Sequence, residues 1–102
     1  MLGLEETEVL AQLAEEAAEL AQAALKLRRA LDGRNPTTVS EAAARAALIE
    51  ESTDVALCLN LLQIEADRAL YRKKYSRWRQ RLLERDARER ERRTAWKTEP
   101  EA

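Results

Sequence analysis

Residues 44–62, ARAALIEESTDVALCLNLL, read as one helix with acids set into its apolar face. At about 100° per residue, the apolar stripe runs Ala44, Ala47, Leu48, Val55, Cys58, Leu59 and Leu62. Glu51 falls near the middle of that stripe, and Asp54 falls about 60° to one side of it. Ionised carboxylates that face a core are costly unless they are paired or bound to metal. An arginine partner from the following helix is the plain alternative to a metal.

Upstream, the spacing predicts a first helix from about Leu4 to Leu31. Leu10, Leu13, Ala17, Leu20, Ala24, Leu27 and Leu31 recur at intervals of three and four, the pattern of an amphipathic helix. Glu16 stands at the edge of this stripe. It belongs to the run Glu15-Glu16-Ala17-Ala18-Glu19. Taken alone, that run reads equally as a solvated acidic face. Facing Glu51 and Asp54, its acids complete an all-oxygen cage suited to a hard cation such as Mg²⁺, with Mn²⁺ as a substitute. Asp32-Gly33 supplies a helix stop. Thr38-Val39-Ser40-Glu41 reads as a capping box, which starts the second helix near Val39.

Downstream, a third helix is expected over roughly Ile64 to Arg93; it either continues the second helix or, as a compact bundle requires, bends away near Glu65–Arg68. Leu70, Tyr71, Trp78 and Leu82, with Tyr75 and Leu83, would make its apolar contacts. The run DARERERR at 86–93 has no apolar stripe. Residues 94–102 are expected to be a disordered tail, leaving a single domain over 1–93. The expected fold is all-α, an antiparallel bundle of three main helices completed by oligomerisation.

Composition points the same way. With two Gly, two Pro, no Phe and four aromatic residues among 102, the core is aliphatic and thin, and a chain this small gains from self-association. A homodimer or homotetramer is expected. The absence of histidine excludes His-based catalysis and His-ligated zinc. Cys58 is the one cysteine, so no disulfide forms within the chain, and a reducing, cytoplasmic setting is expected. The acidic N-terminus lacks a basic leader region. No apolar run approaches the roughly 20 residues of a membrane span, so no membrane partner is expected. Charge is divided unevenly. Residues 1–67 carry 5 Lys/Arg against 13 Asp/Glu, a net −8, and residues 68–102 carry 13 against 6, a net +7. One ligand that suits both halves is a metal-chelated nucleoside triphosphate.

The two acidic clusters together resemble a known signature. E-E-x-x-E on one helix followed by E-x-x-D on the next is the motif of the MazG-like nucleoside triphosphate pyrophosphohydrolases of the all-α NTP pyrophosphatase superfamily. It matches Glu15, Glu16 and Glu19, then Glu51 and Asp54. The resemblance spans roughly residues 10–85 and includes Arg81-Leu82-x-x-Arg85. Two departures stand out. Thirty-one residues separate Glu19 from Glu51, slightly more than is usual in the family, and Leu61 stands where some members carry asparagine. The resemblance implies hydrolysis of an NTP or dNTP to the monophosphate and pyrophosphate. It implies Glu16, Glu19, Glu51 and Asp54 as metal ligands, directly or through water, and Glu15 as the residue that orients or deprotonates the attacking water. Lys26, Arg81 and Arg85 are expected to neutralise phosphate charge. The alternative function is a non-enzymatic helical module that binds a partner or nucleic acid through its basic third helix.

Overall fold

The computed structural model describes residues 3–33 and 39–98. It is helical throughout, with α1 at Glu6–Asp32, α2 at Glu41–Leu61 and α3 at Arg68–Thr98, and it has no strand among the described residues. No helix of the described residues is long and apolar enough to cross a membrane. The chain divides into two compact units, one of residues 1–65 and one of residues 66–102.

In the first unit, local chemistry sets the helix ends. α1 carries Glu6 and Glu8 in its first turn and Arg29 in its last, the order that favours the helix dipole. It stops at Gly33, whose φ of 71° is left-handed and whose N–H donates to the Arg29 carbonyl at 3.1 Å. Glycine adopts this conformation without the Cβ penalty, as the sequence predicts. α2 is capped by Ser40, whose Oγ accepts from the Ala43 N–H at 3.1 Å. The cap is therefore two residues later than the expected box, whose Thr38 lies outside the described residues. Glu41 becomes the first helical residue and pairs with Arg45 at 3.1 Å. That pair is exposed and contributes at most about 0.5 kcal/mol.

The C-terminus of α2 closes in a Schellman motif. Ile64 N–H donates to the Leu59 carbonyl at 2.9 Å, and Gln63 N–H donates to the Asn60 carbonyl at 3.0 Å. The left-handed position, usually glycine, is Gln63 at φ 58°. A side chain there costs about 1–2 kcal/mol, partly offset by the lower unfolded-state entropy of a non-glycine residue. Gln63→Gly is therefore expected to raise stability by about 0.5 kcal/mol, read as a higher urea midpoint at an unchanged m-value.

Packing of α1 on α2 corrects the expected face of α1. Leu13, Leu20 and Leu27 turn inward as anticipated, but Leu10 and Leu31 are 46% and 54% exposed. Ala17 and Ala24 are exposed too. The inward row is instead Val9, Glu16, Ala23 and Ala30, of which Val9 and Ala23 are buried. On α2 the inward row is Ala44, Glu51 and Cys58, flanked by Ala47, Leu48, Asp54, Val55, Leu59 and Leu62, as the periodicity predicts, and by Leu61, which it does not. The start of α1 lies beside the end of α2, where Leu4, Val9 and Gln12 share a cavity of about 260 Å³ with Cys58 and Leu61. The buried set is small: Val9, Ala23, Leu27, Ala44 and Cys58. Leu25, Ile49 and Leu57 remain more than half exposed.

The second unit is α3. Asp67 caps it, with Oδ1 accepting from the Leu70 N–H at 2.8 Å. This cap starts a separate helix at Arg68, four residues later than expected, and residues 62–67 are not helical. α3 continues past Arg93 to Thr98, so residues 94–98 are helical and only 99–102 of the expected tail lie outside the described residues. The segment without an apolar stripe holds its helix through pairs one turn apart. Arg90 meets Asp86 at 2.7 Å, Arg93 meets Glu89 at 3.7 Å and Arg85 meets Glu89 at 4.0 Å.

Candidate metal centre

Two helices each place an acid where a buried apolar residue belongs. Glu16 lies seven residues after Val9 and seven before Ala23, both buried. Glu51 lies seven after Ala44 and seven before Cys58, both buried as well. Seven residues are about two helical turns, so each acid occupies the seam of its helix between two core positions. Asp54, one turn beyond Glu51, flanks the same seam. Glu16, Glu51 and Asp54 each present one carboxylate oxygen within 4.8 Å of the others. All three residues are half-buried.

The group is not balanced internally. Glu16 Oε1 accepts a hydrogen bond from Gln12 Nε2 at 2.7 Å. Glu16 Oε2 and Glu51 Oε2 are shielded from solvent and have no hydrogen-bond partner. Such atoms cost stability unless something supplies the missing positive charge or proton. The Gln12 hydrogen bond favours the Glu16 carboxylate, but burial and the negative charges of Glu19 and Asp54 outweigh it and raise the Glu16 carboxyl above its ordinary value.

A raised carboxyl has a definite pH signature. The folded chain holds this proton more tightly than the unfolded one, so the associated stability is fully present below the unfolded value. It is lost as pH rises through the folded value. Glu16→Gln is therefore expected to flatten the decline of metal-free stability above the ordinary carboxyl range, as measured by thermal unfolding from pH 4 to 7 in a chelator. An unchanged pH profile would show that Glu16 carries no such strain.

Of the expected ligands, the structure brings together Glu16, Glu51 and Asp54. Glu19 is exposed, and its negative charge helps to raise the Glu16 carboxyl, but it is outside the group of three. Glu15 is exposed on the solvent flank of α1. Lys26 is exposed ten residues beyond Glu16 on the same helix. Arg81 and Arg85 belong to α3, where Arg85 pairs with Glu89. Sequence reasoning missed Gln12. Its signal was present: it lies four residues before Glu16, where i and i+4 side chains meet. Gln12 both donates to Glu16 and lines the neighbouring cavity with Cys58.

Comparison of the chain with protein families, with curated proteins and with solved structures gives no match. The carboxylate geometry therefore stands on its own chemistry. Three oxygen donors without nitrogen or sulfur suit a hard divalent cation.

Proposed function

We propose that this chain is a Mg²⁺-dependent nucleoside triphosphate pyrophosphohydrolase, with Mn²⁺ able to substitute. The observation that carries the reading is the convergence of Glu16, Glu51 and Asp54 with two orphaned carboxylate oxygens among them. The likeness of the acidic clusters to the MazG-like signature gives the reaction class. Glu16, Glu51 and Asp54 would hold the cation, with Glu19 joining through water. When bound, Mg²⁺ supplies charge neutralisation at the phosphates and a more acidic water.

The chain's own residues do the rest. The carboxylates of the seam are fixed by flanking core residues, so they need little reorganisation to receive a cation. Glu15, solvent-facing beside Glu16, orients the attacking water and takes its proton. Water adds at the α-phosphorus, the bond to the bridging oxygen breaks, and pyrophosphate leaves with the monophosphate as co-product. Lys26, ten residues beyond Glu16 on the same helix, would offset part of the charge of the triphosphate.

The small buried set and the half-exposed Leu25, Ile49 and Leu57 support completion of the fold as an antiparallel bundle by a second copy, as a dimer or tetramer. A cytoplasmic location accords with the free Cys58. The test is pyrophosphate release from a panel of NTPs and dNTPs with Mg²⁺, with Mn²⁺ and with chelator. Turnover that is indifferent to the cation would remove the reading.

A further inference from the structure

The two halves of α3 differ in a way that triphosphate hydrolysis does not use. From Arg68 to Leu83 the helix carries seven Lys/Arg and no Asp/Glu. Beyond Leu83 the charges alternate and pair one turn apart. Among the described residues, the ion pairs within α3 all lie in this second half. The first half is thus a cationic stretch without an ion pair inside its own helix among the described residues.

That surface has an aromatic ridge. Tyr71, Tyr75 and Trp78 are 66%, 53% and 61% exposed. With Leu82 they fall within about 60° of arc at 100° per residue. Arg68, Arg72 and Arg79 border the ridge on one side, and Lys74 and Arg81 border it on the other. Tyr71, Lys74, Tyr75 and Trp78 line a shallow, open recess. Along the axis the backbone positions of the three aromatic residues step by about 6 Å and then about 4.5 Å.

We infer that the first half of α3 binds single-stranded nucleic acid, with unpaired bases stacking on Tyr71, Tyr75 and Trp78 and the phosphates meeting the two cationic rows. Rings between rows of cations are what an unpaired strand needs, because its bases have free π-faces and its backbone brings a regular series of negative charges. A duplex keeps its bases stacked on one another and leaves the rings unused. A lipid surface calls for a broad apolar face, whereas Leu70 and Leu83 project away from this narrow ridge and two of its four members are phenols.

The experiment is fluorescence anisotropy with a labelled dT oligonucleotide of 20 nucleotides, using the full chain in EDTA so that hydrolysis plays no part. Raising salt from 50 to 200 mM should weaken binding roughly 100-fold, the effect of about five phosphate contacts. In a Trp96→Phe background, binding should quench the fluorescence of Trp78. Tyr75→Ala and Trp78→Ala should each weaken binding roughly 10-fold while leaving the salt slope unchanged, since stacking and charge are separable contributions. Both positions are exposed and alanine favours helix, so circular dichroism should show an intact fold. Arg72→Gln with Arg79→Gln should reduce the slope. Absence of binding at 50 mM salt would overturn the inference. So would equal affinity for a duplex of the same length, binding indifferent to both aromatic variants, or preference for phosphatidylserine vesicles. Self-association that depends on Tyr75 and Trp78, without affinity for the oligonucleotide, would assign the ridge to a second copy instead.

Discussion

Glu51→Gln and Asp54→Asn are each expected to lower Mg²⁺-dependent pyrophosphate release by roughly 10³-fold. Loss of one ligand removes several kcal/mol of charge stabilisation from the transition state, and each 1.36 kcal/mol is about tenfold in rate. Both substitutions keep the side-chain shape, so the seam between α1 and α2 should stay packed. They also remove negative charge from a group that contains two unpartnered oxygens. The metal-free variants should therefore unfold at the same temperature as the parent or higher, because a repelling charge has been deleted. The two measurements must be made together. A fall in turnover accompanied by a fall in metal-free stability would point to a packing role, whereas opposite directions identify ligands. Undiminished turnover in both variants would sink the ligand assignment. The same pair of substitutions should leave oligonucleotide binding by α3 unchanged, which keeps the two proposed functions distinguishable.

Leu27→Ala is expected to destabilise the fold by about 2–5 kcal/mol, the usual range for truncating a buried leucine. Leu27 is 8% exposed and is one of five buried hydrophobic residues among the described residues. A small domain has about 5–15 kcal/mol in total, so this single change threatens a large share. Leu31→Ala, at a position 54% exposed, should shift stability by no more than about 0.5 kcal/mol in the isolated chain. Urea denaturation of both variants at several protein concentrations checks the contrast. It also probes assembly: if the row of Leu10 and Leu31 is covered by a second copy, the cost of Leu31→Ala should grow with protein concentration. Equal costs for the two variants in dilute solution would mean that the inward row of α1 has been misassigned.

These two results probe different layers of what the chain encodes. The helices and most of their ends were legible in the sequence because they depend on near neighbours. Gly33 ends α1 through its own φ, and Ser40 caps α2 through a bond three residues away. The face of α2 was legible for a related reason. The row Ala44, Ala47, Leu48, Val55, Cys58 and Leu62 recurs at helical spacing and places Glu51 and Asp54 on the packed surface, although Ile49 and Leu57 lie outside it. Solvation of residues 86–93 followed from the lack of any apolar stripe, and the alternating charges supplied the pairs that keep them helical.

The facing of α1 was a different matter. Beside Leu13, Leu20 and Leu27 the sequence offers two rows with the same seven-residue repeat, Val9-Glu16-Ala23-Ala30 and Leu10-Ala17-Ala24-Leu31. By hydrophobicity the second is the better core, since it has two leucines and no acid. A shift of one residue turns a helix by about 100°, and nothing within α1 sets that rotation. α2 sets it: α1 presents the row Val9, Glu16, Ala23 and Ala30 to a face centred on Ala44, Glu51 and Cys58. That choice leaves Leu10 and Leu31 outside and carries Glu16 from the edge of the stripe to its centre. It joins Glu16 rather than Glu19 to Glu51 and Asp54, and it brings Gln12 into the centre as a donor. The sequence alone determined that this chain is helical and that acids lie on the packed face of α2; that α3 is a separate helix, and not a continuation of α2, is a finding of the structure. Only the tertiary structure decided which acids meet, because the rotation of one helix is set by the shape of its partner and not by its own residues.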